Sequence, residues 1–482
     1  MPHFLKRFSE SAPALFDGDT SFSLTYGELL KQIFHCKNSL NIPKALVFLF
    51  CSKACDEALS YFSLMESDHV VCLLDKNMRP EMKERLIDTY EPELILDQIP
   101  IFYPLYEKLS YPLTNLTLLK RTMPSARSAQ DFHPSLKLLL STSGTTGSPK
   151  MIRLSMDNLI HNAASIIEYL EITPMDRAIA SLPFHYSYGL SVLNTHLLAG
   201  ASLVTTSTSL MQKEFWDIMN RMHCTSFAGV PYMYHMLERI GFDRLDLPNL
   251  KTMTQAGGRL DPLIIKKYDA WMKQKNGRFF VMYGQSEATA RMSYVPPSLL
   301  PEKAHSIGCP IPGGMFQIWE GENLISEPKH EGEIVYTGRN VMLGYAETRE
   351  NLTKGDENIG ILHTGDLGYF DSDGLFYLTG RMSRFSKIYG LRINLDEVEI
   401  RAKEFGCAAV IGNDTSITIY IEKGTEVLCQ LCAEKLAAYF HLHPSTFICR
   451  SAKELPLLPS GKIDYHRITQ WEQTWKESQN PS

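Results

Sequence analysis

The sequence predicts an α/β protein: a large N-terminal domain of layered α/β subdomains, a β-rich subdomain after it, and a small α+β C-terminal domain. Three observations predict it. Short, continuous apolar runs alternate with helical patterns, as the strands of a parallel sheet covered on both faces read. Between about 305 and 345, Gly and Pro crowd among strand-like runs such as Gly332–Gly338. Beyond 390, short strands and helices of a smaller mixed domain follow. At 482 residues the chain is too long for one ordinary core.

The first elements carry this pattern in order. Tyr26 to Ile33 has apolar positions at helical spacing behind the capping residue Thr25. Lys44 to Phe50 reads as a buried strand, Asp56 to Met65 as a helix, His69 to Leu74 as a second strand, Pro80 to Tyr90 as a helix and Leu94 to Leu96 as a third strand. Hydrophobic residues at 44 % and charged residues at 21 % suit a soluble globular chain. The net charge of −6, from 48 basic and 54 acidic residues without a basic block, excludes the footprint of a nucleic-acid binder. No apolar run approaches bilayer length, and Met1 to Phe8 lacks the core of a signal peptide, so a cytoplasmic enzyme with no membrane span is expected. The ten cysteines have no repeated spacing and read as reduced thiols, mostly core. Cys429 and Cys432 form a C-x-x-C, but on one amphipathic helix and without a second pair at zinc spacing.

Chemistry concentrates where strands end. After the apolar Leu138-Leu139-Leu140 comes Ser141-Thr142-Ser143-Gly144-Thr145-Thr146-Gly147-Ser148-Pro149-Lys150, leading into the return strand Met151 to Leu154. Its glycines let the backbone approach a ligand, Thr142, Ser143, Thr145 and Thr146 offer hydroxyls, and Lys150 adds a fixed cation, which together suit a polyphosphate. It is not the G-x-x-x-x-G-K-[ST] loop, because Ser148 and Pro149 intervene. A helix from Asp157 to Leu170 follows, then an apolar strand running into Pro183-Phe184-His185-Tyr186, with the imidazole expected at a strand end. Ser226 to Tyr232 and Lys251 to Arg259, with Ala256, Gly257 and Gly258, read as two more strand ends followed by helices. Phe279 to Glu287 delivers the ring of Tyr283, then Gly284, Gln285, the hydroxyl of Ser286 and the carboxylate of Glu287, a group able to hold a hard cation. His363-Thr364-Gly365-Asp366 puts a carboxylate on a turn, and Asp371 to Gly374 reads as a hairpin turn. Asn394 to Glu397 opens a helix like a capping box. Strands near Ala408 and Ser416, a helix from Glu426 to Phe440 and a strand near Phe447 lead to Ser460-Gly461-Lys462-Ile463-Asp464.

These motifs, in this order over nearly the whole chain, resemble the adenylate-forming (ANL) superfamily of AMP-dependent synthetases: acyl- and aryl-CoA synthetases, peptide-synthetase adenylation domains and firefly luciferases. The resemblance implies that Thr142 to Gly147 and Lys150 cradle ATP phosphates, and that Gly257, Gly258 and Tyr283 to Glu287 border the adenine and the α-phosphate. It implies that Thr142 and Glu287 position Mg²⁺, that Asp366 accepts the ribose hydroxyls, that Arg381 contacts ribose or phosphate, and that Lys462 is catalytic. Tyr186, His185, Tyr232 and Ala256 would border the acyl pocket, and the turn with Lys387 and Gly390 would serve the thiol step. The implied domains are an AMP-binding region over residues 1–380, a hinge at 381–384 and a mobile lid over 385–482 carrying Lys462. Ser383 departs from the Asp usual at the pivot, and Ser286 replaces a Thr while keeping the hydroxyl.

The implied reaction is ATP-dependent activation of a small-molecule carboxylic acid to an acyl-adenylate, then transfer to a thiol, either CoA or the phosphopantetheine of a separate acyl carrier protein. The alternative is an amino-acid adenylation enzyme loading a carrier protein. His185 stands against it, because such enzymes place an Asp there to hold the α-ammonium. A luciferase-type oxygenase shares the motifs, and a non-catalytic binding protein on the same fold is the reading from another class.

Overall fold

The computed structural model describes residues 5, 8–98, 103–123, 132–141, 150–382, 384–388, 391–413, 415–458 and 462–479. The chain divides into two compact units. The first takes the described residues of 1–144, 148–315 and 336–362, and the second those of 316–335 and 363–482. This division falls elsewhere than the 380/385 boundary read from the sequence. Among the described residues no helix is long and apolar enough to cross a membrane.

The first unit is built on two sheets. One has eight described strands in the order Gly344–Ala346, Met151–Ser155, Leu136–Ser141, Val70–Asp75, Leu46–Cys51, Leu94–Asp97, Thr117–Arg121 and Tyr106–Leu109. Its centre is parallel, with Cys51 beside Asp75 and Leu73 beside Leu140. The strands read as unbroken apolar runs because both faces are covered. Val47 and Leu49 enter one hydrophobic core, while Leu46, Phe48 and Phe50 enter another with Leu86, Ile87 and Tyr90 of the helix Pro80–Tyr90.

The other sheet has nine described strands, parallel from Arg278–Tyr283 through Thr252–Gln255, Ser226–Gly229, Arg177–Ile179 and Ser202–Thr205 to Pro13–Asp17. One core joins Val47, Leu49 and Leu140 of the first sheet to Leu203, Phe227 and Met253 of the second. Every residue of the helix Ser187–Leu198 is buried in this unit, which is why the segment shows no polar face.

Local signals set the helix starts. Thr25 and Ser155 form capping boxes with Glu28 and Asn158, and Pro80, Pro231 and Pro262 open helices at their first position.

Most residues of a five-stranded sheet, in the order Asn323–Ile325, Gly314–Glu320, Gly332–Gly338, Ile361–Phe370 and Phe376–Arg381, fall in the second unit. The second unit holds a three-stranded sheet, Ala408–Gly412, Ile417–Glu422 and Phe447–Ala452, packed against the helices Leu395–Ala402 and Glu426–Phe440. Asn394 caps the first of these helices by accepting from the Asp396 and Glu397 amides. Glu397 accepts from Tyr439 at 3.1 Å. Cys429 and Cys432 lie in the core of this small domain, all ten cysteines are free thiols, and no metal-binding cluster occurs among the described residues.

Candidate active site

The predicted phosphate loop is pinned at both ends. Ser141 pairs with Met151 in an antiparallel register. Residues 142–149, and with them Thr142, Ser143, Gly144, Thr145, Thr146 and Gly147, lie outside the described residues. Lys150 is described: its Nζ lies 3.1 Å from Glu347 and 5.4 Å from the centre of the Tyr345 ring. Tyr345 stands on the strand Gly344–Ala346, opposite Ile152 of the return strand. Its hydroxyl donates to Glu287 Oε1 at 2.9 Å. Burial, and then the Glu287 charge, push the Tyr345 phenol up, so it stays a donor. Sequence reasoning missed Tyr345, and the signal was faint: a lone aromatic in a Gly-rich segment.

Glu287 is held through its backbone as well. Its carbonyl accepts from the Met342 amide at 2.8 Å, and Asn340 Nδ2 donates to the Ala288 carbonyl at 2.8 Å. Thr289 is held at φ +68°, the left-handed region, with its hydroxyl donated to the Asn340 carbonyl. The turn Gly284 to Arg291 is tight, since a Cβ on Gly284 would lie 1.9 Å from the Ala290 carbonyl oxygen. Gln285 Nε2 lies 3.3 Å from the Tyr283 hydroxyl, and Ser286 Oγ is 2.8 Å from Ser187 Oγ at the start of the buried helix.

His185 lies in the turn between the strand Arg177–Ile179 and the helix Ser187–Leu198, not at the strand end that the sequence predicts. The strand ends at Ile179, and Ala180 to Phe184 carry the chain off the sheet before His185. Its Nδ1 lies 2.8 Å from the Cys51 carbonyl, and a carbonyl only accepts, so Nδ1 bears hydrogen and Nε2 faces Asp75 Oδ2 at 4.0 Å. The His185 to Ser187 segment thus touches the first sheet through Cys51 and, through Ser286, the turn that follows the strand Arg278–Tyr283. Tyr186 packs its hydroxyl against Gly257, which sits at φ +86°, and a Cβ there would lie 2.5 Å from that oxygen. Burial pushes the Tyr186 phenol up to about 12. Ala256 is buried and Tyr232 is exposed. Gln255 Nε2 donates to the Gly258 carbonyl at 2.7 Å.

In the second unit, Asp366 and Arg381 face each other across an antiparallel pair, and Arg381 Nε donates to Asp366 Oδ1 at 2.9 Å. The Met382 amide donates to Gly365 at 2.7 Å and the Arg381 amide to Asp396 Oδ2 at 2.9 Å. Arg384 is 2.5 Å from Asp396, 3.1 Å from Glu399 and 2.9 Å from the Tyr465 hydroxyl. The predicted hinge therefore has anchors on both sides, in the segment before it and in the small domain after it. Ser383 and Gly390 lie outside the described residues. The Lys387 backbone pairs with Arg392 in a hairpin. Lys462 is exposed, beside an isolated antiparallel bridge between Leu457 and Ile463, and its carbonyl accepts from the Leu458 amide at 2.7 Å.

The sequence matches the AMP-binding enzyme family model over residues 3–346. The chain belongs to the AMP-binding enzymes. It is 28 % identical over 358 residues to an oxalate–CoA ligase of Arabidopsis thaliana, covering 69 % of this chain and 67 % of the relative. It is 27 % identical over 367 residues to an oxalate–CoA ligase of Saccharomyces cerevisiae, covering 72 % and 64 %. The chain thus spans about two thirds of the length of these relatives. Its fold is similar to the O-succinylbenzoate Coenzyme A synthetase (MenE) of Bacillus subtilis in complex with AMP, with TM-score 0.75, 20 % identity and 94 % of each chain covered. It is likewise similar to ATP-bound MatB of Rhodopseudomonas palustris, with TM-score 0.76, 19 % identity and 97 % of each covered. The kinship of this AMP-binding enzyme is with acid–thiol ligases.

Proposed function

We propose that this AMP-binding enzyme is a carboxylic acid–CoA ligase: it joins an organic acid to AMP at the expense of ATP and passes the acyl group to the thiol of CoA. One observation carries the reading. Lys150, Tyr345 and Glu287 converge in the first unit next to the pinned ends of the predicted phosphate loop, as a polyphosphate site requires. The CoA acceptor is supported by the relatives, which are named CoA ligases.

In the proposed first step a carboxylate oxygen attacks the α-phosphorus in line, the bond to the bridging oxygen breaks, and pyrophosphate leaves. In the second, the thiol sulfur attacks the acyl carbon, the thiol proton is lost, and AMP leaves. No protein nucleophile is required, so the chain's task is to orient and to balance charge. Glu287 fits a magnesium ion: one carboxylate, fixed by Tyr345 and lacking a protein cage among the described residues, matches a small hard cation that keeps waters and substrate phosphates as its other ligands. That ion, when bound, neutralises phosphate charge. Lys150 and Lys462 supply further positive charge, Tyr283 and the backbone around Gly257 and Gly258 receive the base, and Asp366 with Arg381 receives the ribose. The turn holding Lys387 serves the thiol step as the segment beyond residues 381–384 swings.

A second reading, amino-acid activation for a carrier protein, has one observation in its favour. Asp75 brings a carboxylate 4.0 Å from His185 Nε2, supplying the negative charge that the histidine lacks. Pyrophosphate exchange into ATP with organic acids and with amino acids, followed by chasing the adenylate with CoA and with holo-carrier protein, tests both. Exchange with organic acids and capture by CoA is the expected result, and no exchange with any acid would end the proposal.

A further inference from the structure

Arg153 stands on the return strand Met151–Ser155, opposite Gly344, and its side chain is fully buried. A guanidinium carries five N–H donors, and here five acceptors answer them. Nε donates to the Tyr345 carbonyl at 3.2 Å, Nη1 to the carbonyls of Lys354 and, at 3.1 Å, Gly355, and Nη2 to the Leu343 carbonyl at 3.2 Å and Glu357 Oε2 at 2.5 Å. Every acceptor belongs to one excursion of the chain, residues 343–357, whose ends meet where the Glu357 amide donates to the Leu343 carbonyl at 2.8 Å.

Packing alone does not account for this arrangement. A buried charge is costly, and an apolar side chain could fill the space between strand and loop. Apolar contact, however, is non-directional, whereas hydrogen bonds set the height and rotation of particular carbonyls. The strand Gly344–Ala346 needs that control, because it is three residues long and lies at the edge of its sheet, paired among the described strands with the return strand alone. Gly344 is fitted to the ion pair. Its φ is +137°, and a Cβ there would lie 2.6 Å from Arg153 Nη2 and closer still to Glu357 Oε2. Glycine thus lets Arg153 and Glu357 pack against the backbone immediately before Tyr345, the residue whose hydroxyl donates to Glu287.

We propose that Arg153 is a positioning residue for the magnesium site and acts through Tyr345: it fixes the backbone on which the phenol stands, and the phenol fixes the carboxylate of Glu287. The inference rests on the reading of Glu287 as the magnesium ligand and adds to it a residue that acts only through another. Lysine cannot replace Arg153, because an ammonium group has three donors for the five acceptors and lacks the planar fork.

The test measures binding of the non-hydrolysable α,β-methylene analogue of ATP by calorimetry, once with saturating Mg²⁺ and once with EDTA. The ratio of the two dissociation constants reports how much the ion adds to affinity. A residue of merely structural use would weaken both equally and leave the ratio alone. In Arg153→Lys and in Glu357→Ala we expect the ratio to fall, by no more than the roughly tenfold fall expected of Tyr345→Phe. Neither change should lower it further in the Tyr345→Phe background, since residues acting in one chain of contacts are not additive. The Glu357 side chain is 46 % exposed and its loss leaves the other four acceptors in place, so Glu357→Ala decides the matter even where Arg153→Lys does not fold. An unchanged ratio in Glu357→Ala or Tyr345→Phe, or a fall that repeats in full on top of Tyr345→Phe, would overturn the inference and leave the magnesium site standing. A wild-type ratio of one would overturn both. Acid activation is judged separately, because nucleotide binding needs no acid and pyrophosphate exchange does.

Discussion

The hydroxyl of Tyr345 donates to Glu287 Oε1 across 2.9 Å, linking residues 58 positions apart. It leaves the phenol as an outer partner that fixes how the carboxylate points. Because loss of such a partner commonly weakens metal affinity about 10–100-fold, Tyr345→Phe should raise the Mg²⁺ concentration needed for half-maximal pyrophosphate exchange by about tenfold. An unchanged Mg²⁺ titration would show that Tyr345 has no part in orienting Glu287.

Lys462 is exposed, so its removal should not unfold the protein. Loss of one cation from a charge-stabilised transition state typically costs on the order of 10²-fold or more, and Lys462→Ala should lose at least that in adenylate formation. ATP binding measured by calorimetry should be nearly unaltered. Wild-type exchange rates in the variant would remove Lys462 from the mechanism.

Gly257→Ala strains the site twice. An L-residue at φ +86° costs about 1–2 kcal/mol, and the new methyl meets the Tyr186 hydroxyl. We expect a lower melting temperature and a raised KM for the acid, with the KM defect partly relieved in the double variant with Tyr186→Phe. If the double variant is no better than the single one, the Tyr186 contact is not the source of the defect.

Arg384 answers two carboxylates at once, Asp396 and Glu399, and its side chain is only 19 % exposed. Removing one partner of a buried ion pair typically costs about 3–5 kcal/mol, so Arg384→Ala should shift chemical denaturation of the C-terminal region by an amount of that order. Chemical denaturation of Arg384→Ala indistinguishable from the wild type would count against this account.

His196 sets an acid limit. Burial, opposed by the Val192 carbonyl, lowers its pKa from 6.5 to about 4. The unfolded chain takes up the proton first, so this contribution to stability is intact above about pH 6.5 and is lost as pH falls toward 4, by roughly 3 kcal/mol in all. Denaturation at pH 7.5 and 4.5 should show a smaller acid loss in His196→Gln than in the wild type. Equal losses would assign the acid sensitivity to other groups.

Much of the fold was legible where the signal was local. Thr25 and Pro80 announced their helices, and Leu138 to Leu140 announced the strand before the phosphate loop, because caps and apolar runs act within a few residues. The strand Pro13–Asp17 was not legible, since it is specified by its place beside Ser202–Thr205. At the site, Glu287 and His185 were readable as chemistry at turns, whereas Asp366, read as a turn residue, stands within the strand Ile361–Phe370 because its neighbours pair with Phe376–Arg381. Their partners Tyr345, Asp75 and Arg381 were not readable as partners. Asp75 passed as the end of an ordinary strand.

By itself the sequence determined the order of strands, helices and reactive turns, and the kind of chemistry each turn can offer, because those depend on residue type and short-range spacing. Only the tertiary structure decided which of those groups meet: Glu287 with Tyr345, and His185 with Asp75. The reason is physical. Sheet register and core packing bring side chains together across dozens of residues, and nothing in the local pattern of either partner encodes the distance between them.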